Sequence, residues 1–344
     1  MSETILRVEK LTKVFRSHKT DIHAVNDVSF EVKQGETIGI VGESGCGKTT
    51  LGRMIVHAIP ATSGKILYTA ADGQEYDLCA MTDKDMKKLR REIQMIFQDP
   101  YSSLDPRMTV FDIISEPLKA NFKDMPKEEM ERRVKDMAVK VGLNPMYLRR
   151  YPHAFSGGQR QRIGIARALV LLPRLIVCDE AVSALDVSVQ AQVVNLLRDL
   201  QREMGLTYLF ISHDLSVIEH ISDRVGVMYL GRMVEYAPSR ALFEAPKHPY
   251  SEALASAIPI ADPTITLERI PLEGEIPNPA NAPSGCFFHP RCRYCTEQCK
   301  TERPETVEIE KDRFTACLRI RELELQGLPM DKLHPEKEEA KQPE

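Results

Sequence analysis

The stretch GESGCGKT, residues 42–49, has the residue types and spacing of a phosphate-binding loop. Its glycines are Gly42, Gly45 and Gly47. Glycines there let the backbone curl so that its amides point at phosphate oxygens. Lys48 can reach the β- and γ-phosphates, and the Thr49 hydroxyl can ligate magnesium. A strand-like run precedes the loop and a helical pattern follows it, as the motif requires. The stretch predicts a binding site for a nucleoside triphosphate.

Two acids and a histidine follow other strand-like runs. Asp179 and Glu180 end the run LIVCDE (175–180), and His213 follows YLFIS (208–212). The ligand site of a parallel α/β sheet lies at the carboxyl ends of its strands, so we expect all three at that edge. Asp179 suits the magnesium shell, and Glu180 suits a general base that polarises the attacking water. His213 suits a contact with the γ-phosphate.

A second helix start rich in amides occurs in FSGGQRQR (155–162), where Ser156, Gly157 and Gly158 precede a helical pattern. Backbone amides at a helix N-terminus favour phosphate. One γ-phosphate already occupies the first loop. We therefore expect the second start to serve ATP on another copy.

The elements that position these residues alternate along the chain. The apolar runs TIGIV (37–41), LIVCD (175–179) and YLFIS are each followed by a helical pattern, which indicates an α/β fold with a parallel sheet. Residues 110–150 are charged and helical in pattern, which predicts a helical insert. From residue 259 prolines accumulate and indicate a linker.

Composition argues against several classes of protein. A net charge of -4 argues against a general nucleic-acid binder. The start MSETILRVEK shows no secretory signal. The most apolar stretch (168–178) is interrupted by Pro173 and Arg174 and is too short to span a bilayer. We expect a cytosolic chain that reaches a membrane only through partners.

Five cysteines crowd the C-terminal part: Cys286, Cys292, Cys295, Cys299 and Cys317. Structural disulfides are disfavoured in a reducing cytosol, and clustered thiols there more often bind metal. An iron–sulfur cluster, zinc and free thiols all stay open.

The ordered motifs resemble the ATP-binding cassette of ABC transporters. The residues that carry the resemblance are GESGCGKT, Gln98 in MIFQDP, FSGGQ, LIVCDE, SALD (183–186) and His213. The resemblance implies a P-loop NTPase of the α/β class, with a mixed sheet core, a helical subdomain at about 99–165 and a small Cys-rich C-terminal extension.

Three further stretches resemble the ATPase subunits of dipeptide and oligopeptide importers: FQDPYSSLDPRMTV (97–110), HPYSEALASAIP (248–259) and GCFFHPRC (285–292). The first of them and the phosphate loop look most like the second ATPase chain of such importers. The likeness covers roughly residues 5–320. It implies the following domains: a cassette over 1–258, an extension over 259–320 and a flexible charged tail over 321–344.

The resemblance also implies residue roles. Phe15 would stack on adenine, and Gln98 would contact magnesium and water and report the nucleotide state to the membrane subunits. Ser156 and Gly158 would complete the partner's site, with Asp186 at the dimer interface. The residues expected at the nucleotide are Phe15, Gly42, Glu43, Ser44, Gly45, Cys46, Gly47, Lys48, Thr49, Thr50, Gln98, Asp179, Ser156, Gly157, Gly158 and Gln159. Catalysis is assigned to Lys48, Gln98, Glu180 and His213, and magnesium to Thr49, Gln98 and Asp179.

Cofactors and partners follow from the same resemblance. They are ATP, Mg²⁺ and a [4Fe-4S] cluster on Cys286, Cys292, Cys299 and Cys317. Cys295 lies outside that pattern, and its C-x-x-C pair with Cys292 would also suit zinc. The expected partners are a sister ATPase chain, two transmembrane permease subunits and an external binding protein, with no nucleic acid.

We expect an ATPase at the cytoplasmic face of the membrane, peripherally attached, which energises peptide import. The alternatives are import of another small solute, such as a metal chelate, and a non-transport ABC ATPase. A homodimer also stays open beside the heterodimer.

Overall fold

The computed structural model describes residues 3–16, 20–99, 101–260 and 268–333. Within them the strands are β1 (Thr4–Arg16), β2 (Asp21–Lys33), β3 (Thr37–Val41), β4 (Ser63–Thr69), β5 (Glu75–Asp77), β6 (Ile93–Ile96), β7 (Leu175–Asp179), β8 (Thr207–Ile211), β9 (Arg224–Tyr229), β10 (Arg232–Pro238), β11 (Val307–Glu310) and β12 (Arg313–Thr315). The helices are α1 (Lys48–Ile55), α2 (Asp83–Leu89), α3 (Val110–Asn121), α4 (Lys127–Lys140), α5 (Gly157–Leu169), α6 (Val187–Met204), α7 (Leu215–Ile221), α8 (Ser239–Glu244), α9 (Pro249–Ala255), α10 (Glu297–Thr301) and α11 (Met330–Leu333).

The chain forms two compact units. The first consists of Met1–Leu11, Ser29–Thr37 and Thr49–Ser212, and the second of Thr12–Val28, Ile38–Lys48 and His213–Glu344. Both units combine segments that are far apart in sequence, so neither unit is one continuous stretch of the chain. The predicted domain boundaries at 258 and 320 stay a prediction.

Parallel strands form the centre of the first unit. β6 pairs with β7, and β7 pairs with β8. Every residue of β7 and β8 is buried, which explains why both strands have continuous apolar runs in the sequence. The predicted strand at 175–179 is confirmed to the residue, and the one predicted at 208–212 lies at Thr207–Ile211.

The carboxyl ends of these three strands lie at one edge. The register pairs Ile96 with Cys178 and Asp179 with Ile211. Gln98 comes two residues after β6, and Glu180 directly follows β7. The sheet therefore delivers two predicted site residues to the same edge from the neighbouring strands β6 and β7.

The helical insert predicted over residues 110–150 contains α3 and α4, and α5 follows it in the first unit. Thr109 caps α3 by accepting a hydrogen bond from Asp112 N at 3.2 Å. α4 buries Val134, Met137 and Ala138 and leaves its charged residues mostly exposed. This amphipathic pattern explains why the sequence of that stretch is rich in charged residues and predicts a helix.

The second unit holds a mixed sheet, in agreement with the expected fold class. β3 is parallel to β9, and β9 is antiparallel to β10. β10, β12 and β11 continue as antiparallel neighbours. β3 spans the predicted strand at 37–41, and the phosphate loop follows it directly.

The C-terminal residues join this sheet instead of standing apart. Thr315 of β12 pairs with Glu235 of β10. Within the predicted tail at 321–344, Leu328 and Met330 are 3% and 4% exposed, and α11 begins at Met330. These two apolar side chains pack, and Leu328 N donates to Phe243 O at 2.7 Å. The rest of the predicted tail, 334–344, and part of the predicted linker, 261–267, lie outside the described residues.

Among the described helices, none combines the length and the apolar character that a bilayer crossing requires.

Candidate functional site

The phosphate loop has a backbone that only glycine fits at two positions. Gly42 has φ +148° and Gly47 has φ +105°. A Cβ atom at Gly42 would lie 2.2 Å from Met228 O, and one at Gly47 would lie 2.0 Å from Ala24 O. Gly45 also has a positive φ, of +80°. The glycine spacing therefore reflects the curled backbone that was predicted.

Lys48 lies over the main chain of this loop. Its side chain is nearly buried, and Nζ donates to Gly42 O at 2.7 Å and to Glu43 O at 3.0 Å. Cys46 Sγ lies 3.7 Å from the same ammonium. Burial raises the pKa of the Cys46 thiol, although the lysine opposes the shift, so the thiol is uncharged at neutral pH. The ammonium therefore lies against the loop itself, and its contact with phosphates stays a prediction.

Thr49 and Asp179 meet in the first unit although 130 residues separate them. Thr49 Oγ1 donates to Asp179 Oδ1 at 2.8 Å. Asp179 ends β7 and is 3% exposed. A hydroxyl and a carboxylate are oxygen ligands of the kind that Mg²⁺ prefers. The two predicted magnesium residues in contact can thus form part of one coordination shell.

Glu180 and Gln98 are also brought together. Gln98 Nε2 donates to Glu180 Oε2 at 2.7 Å, and Glu180 N donates to Ile211 O at 2.9 Å. Glu180 has φ +48°, which is uncommon for a residue with a side chain of this size and frequent at functional sites. The amide fixes the direction of the carboxylate that was predicted to act as general base.

His213 and Phe15 belong to the second unit. His213 comes two residues after the end of β8. Phe15 lies in β1 and is 41% exposed, with the Lys13 ammonium 5.1 Å from its ring centroid. An exposed ring can stack on a base, whereas a core phenylalanine cannot.

The second helix start is a complete capping box at the beginning of α5. Gln159 N donates to Ser156 Oγ at 3.3 Å, and Ser156 N donates to Gln159 Oε1 at 3.1 Å. Gly158 packs against α6, since a Cβ atom there would lie 2.4 Å from Val189 Cγ1. Ser156 and Gln159 are exposed. This start therefore has a structural role of its own and still presents polar groups to solvent.

The other predicted residues lie on the same elements. Ser44 belongs to the phosphate loop, and Thr50 lies in the first turn of α1. Asp186 is the N-cap residue of α6, is exposed, and makes no capping hydrogen bond with its side chain. A carboxylate without a capping role leaves Asp186 open to the interface role that the resemblance implies.

Sequence reasoning missed two residues that contact the phosphate loop in the second unit. Arg291 forms a bidentate ion pair with Glu43, at 2.6 and 3.0 Å, and Tyr250 Oη accepts from Glu43 N at 2.9 Å. The carboxylate raises the pKa of the Arg291 guanidinium further above its usual range. No local pattern indicates a pair 248 residues apart, so the sequence carries no signal for it.

The four cysteines predicted to hold an iron–sulfur cluster line one cavity of about 20 Å³: Cys286, Cys292, Cys299 and Cys317. Cys295 is not among the lining residues, and its thiol donates to Thr296 O at 3.4 Å. Yet no three or more His, Cys, Asp or Glu side chains in the described part of the chain are placed to hold a metal ion. The predicted site is therefore present as a donor set and not as a formed metal centre.

An open groove of about 590 Å³ lies in the first unit next to β6. Its lining includes Phe97, Glu116 and Arg167. Phe97 is 45% exposed and precedes Gln98 directly in the chain. The groove thus adjoins the residue that contacts the proposed base.

Known proteins resemble the chain over most of its length. The probable peptide ABC transporter ATP-binding protein y4tS of Sinorhizobium fredii is 50% identical over 324 residues, which cover 92% of this chain and 90% of that protein. The oligopeptide transport ATP-binding protein AppF of Bacillus subtilis is 50% identical over 325 residues, covering 92% and 97%.

Solved structures share the fold. The ATP-binding cassette MJ0796, in a dimeric post-hydrolysis state bound to ADP and Pi, has a TM-score of 0.61 at 27% identity and covers 68% of this chain and 99% of its own. The protein cbiO1 from Clostridium perfringens, part of the ABC transporter complex cbiONQ, also has a TM-score of 0.61, at 29% identity, covering 70% and 91%.

Two family patterns match in order along the chain. The ABC transporter family matches residues 25–183, and the oligopeptide/dipeptide transporter C-terminal region matches residues 234–299. With the curated relatives near 50% identity over nine tenths of the chain, these matches show that the chain belongs to the ABC transporter family.

Proposed function

We propose that this chain is the ATP-hydrolysing subunit of an importer that takes up peptides. The contact of Thr49 with Asp179, beside the contact of Gln98 with Glu180, carries the ATPase part of the proposal. The match of residues 234–299 to the oligopeptide/dipeptide transporter C-terminal region, together with relatives named for peptide transport, supports the substrate class.

The residues divide the work on ATP between binding and hydrolysis. The amides of the phosphate loop and the Lys48 ammonium bind the phosphates, and Phe15 stacks on the adenine. Thr49, Asp179 and Gln98 would hold Mg²⁺, which neutralises charge on the β- and γ-phosphates when bound.

Hydrolysis requires a positioned water. Glu180 accepts a proton from that water as general base, and the Gln98 amide keeps its carboxylate oriented. His213 contacts the γ-phosphate. Positioning and electrostatics supply most of the acceleration in phosphoryl transfer, so a fixed carboxylate suits this step.

The exposed start of α5 completes the ATP site of a second cassette. Ser156, Gly157 and Gly158 offer a hydroxyl and backbone amides at a helix N-terminus, and Asp186 lies at the same interface. The second cassette is a sister ATPase chain, which the likeness to the second ATPase of importer pairs supports.

The groove beside Phe97 receives a segment of a permease subunit. Its exposed aromatic ring and its position next to Gln98 support this role, because a movement of Gln98 would displace a segment bound there. Two permease subunits and an external binding protein complete the importer, with the chain peripheral at the cytoplasmic face of the membrane.

We also propose that Cys286, Cys292, Cys299 and Cys317 hold a [4Fe-4S] cluster. Four thiolates suit that cluster, and their shared cavity supports the ligand set and leaves Cys295 out. The cavity of about 20 Å³ has room for about one water, which is less than the cluster would occupy. Anaerobic purification with an iron assay and a visible spectrum tests it. Zinc without iron would contradict it.

Purification from native membranes tests the transport assignment. A tagged full-length chain, extracted in mild detergent, should co-purify with two transmembrane proteins and a related ATPase, identified by mass spectrometry. The variant Lys48→Ala should retain these partners, because the groove is not altered. Ribosomes or DNA as the main partners would favour a non-transport ABC ATPase, and an importer with a binding protein for a metal chelate would favour the other solute class.

A further inference from the structure

Glu43 connects the phosphate loop to the cysteine-rich segment of the second unit. Its carboxylate accepts from Arg291 Nη1 at 2.6 Å and from Nη2 at 3.0 Å. This is the planar, two-bond geometry in which arginine binds a carboxylate most strongly. The partner comes from a short helical turn (His289–Arg291) between Cys286 and Cys292. The contact joins Glu43, the second residue of the loop, to the segment between two of the proposed cluster cysteines.

The ion pair is largely shielded from water. The Arg291 side chain is 4% exposed and the Glu43 side chain 23%. Arg291 Nε also donates to Glu273 O at 3.3 Å. Surface ion pairs contribute little, but a desolvated bidentate pair holds its geometry, and the loss of one partner leaves a buried charge unmatched.

The main chain of Glu43 is fixed from two other sides. Tyr250 Oη accepts from Glu43 N at 2.9 Å, and Glu43 O accepts from Lys48 Nζ at 3.0 Å. Glu43 is thus held at its amide, at its carbonyl and at its carboxylate. Since the carbonyl contacts the phosphate-binding lysine, a shift of Glu43 is transmitted directly to Lys48.

The segment that carries Arg291 is itself anchored. Phe288 packs on Tyr229 and Tyr250, with ring centroids 5.2 and 5.3 Å apart. Phe288 is 2% exposed. Such aromatic contacts resist displacement, so Arg291 approaches the loop from a rigid base.

We infer that Arg291 is a positioning residue of the ATP site, which holds the phosphate loop in its binding conformation through Glu43. The inference rests on the proposed function of that loop. A loop held before ATP arrives needs no ordering on binding, so its affinity for ATP is higher than that of a loose loop. The C-terminal segment thereby takes part in ATP binding without touching the nucleotide.

Nucleotide titrations of the full-length chain test this inference. The probe is N-methylanthraniloyl-ATP with Mg²⁺, followed by fluorescence. Arg291→Met should raise Kd about tenfold, the size expected for one strong coupling. Arg291→Lys keeps the charge but not the bidentate contact and should give an intermediate Kd. The matched control is Arg293→Met, two residues away, which removes an ion pair with Glu252 at 3.0 Å and should change Kd less than about twofold.

A double-mutant cycle separates positioning from loss of structure. Glu43→Gln alone should raise Kd as much as Arg291→Met, and the combined variant should show no further loss, since both changes break one contact. The inference would be overturned if the combined variant raised Kd by the product of the two single effects. It would also be overturned by a Kd within about twofold of wild type in Glu43→Gln, even if Arg291→Met failed to fold. Failure of the wild-type chain to bind the probe would instead contradict the proposed ATP site.

Discussion

The carboxylate of Glu180 accepts a hydrogen bond from Gln98 at 2.7 Å. Glu180 has a positive φ and directly follows Asp179, the last residue of β7. Two neighbouring acids thus have different partners, since Asp179 binds the Thr49 hydroxyl. At the residue scale this division matches the two proposed roles. In that proposal one carboxylate would serve as a metal ligand and the other as a base.

Glu180→Gln should bind ATP and hydrolyse it at least about 100-fold more slowly, because the amide cannot accept the proton of the attacking water. Phosphate release and nucleotide binding, measured on the same preparation, check the two halves of this prediction. Glu128→Gln, at an exposed position in α4, is the control and should hydrolyse ATP normally. Near-normal turnover in Glu180→Gln would remove Glu180 as the base.

At the element scale, the start of α5 combines a capping box with a proposed binding surface. Ser156 and Gln159 satisfy each other's backbone amides, and Gly158 packs on Val189 of α6. The same residues therefore stabilise the helix in this chain and, in the proposed assembly, would also face a partner. Substitutions that keep one property and change the other can separate them.

Ser156→Ala should lower the free energy of unfolding by about 1 kcal/mol, the usual contribution of an N-cap side chain. Ser156→Asn should keep that stability, because asparagine caps as well as serine, yet slow hydrolysis in the assembled importer through its larger side chain. Urea unfolding and ATPase assays measure the two effects. Normal ATPase activity in Ser156→Asn would argue against a phosphate contact at this helix start.

The elements around the site were largely predictable from local patterns. Buried parallel strands produce continuous apolar runs, so β3 and β7 were found to the residue. The sterics at Gly42 and Gly47 explain why the glycine spacing marks the loop. The pair of Arg291 with Glu43 was not predictable, because a contact over 248 residues depends on the whole sheet topology and leaves no local trace. The burial of Leu328 had the same cause: its packing partners lie far away in sequence.

At the scale of the whole molecule, the C-terminal residues add strands to the sheet of the second unit, through the pairing of β12 with β10. That junction contains a buried carboxylate. Glu235 is 1% exposed, and burial raises its pKa from 4.5 to about 7, against the lowering effects of its hydrogen bonds and of Arg313. The junction should therefore make stability depend on pH.

The sign follows from the raised pKa. The folded state binds the Glu235 proton more tightly than the unfolded state, so this contribution is complete below pH 4.5 and is lost as the pH rises through about 7. Relative to Glu235→Gln, the wild-type chain should lose about 3 kcal/mol of unfolding free energy across that window, since each pKa unit corresponds to about 1.36 kcal/mol. Urea unfolding at pH 5 and pH 8 gives the difference. Equal pH dependence in both proteins would show that Glu235 is not the titrating group.

Uptake of a labelled oligopeptide into proteoliposomes tests the central claim most directly. The vesicles would contain this chain, its co-purified ATPase and permease subunits, and the external binding protein. We predict uptake that requires ATP and falls to background when Glu180→Gln replaces the wild-type chain. ATP hydrolysis without peptide uptake, or uptake unchanged by Glu180→Gln, would contradict the account.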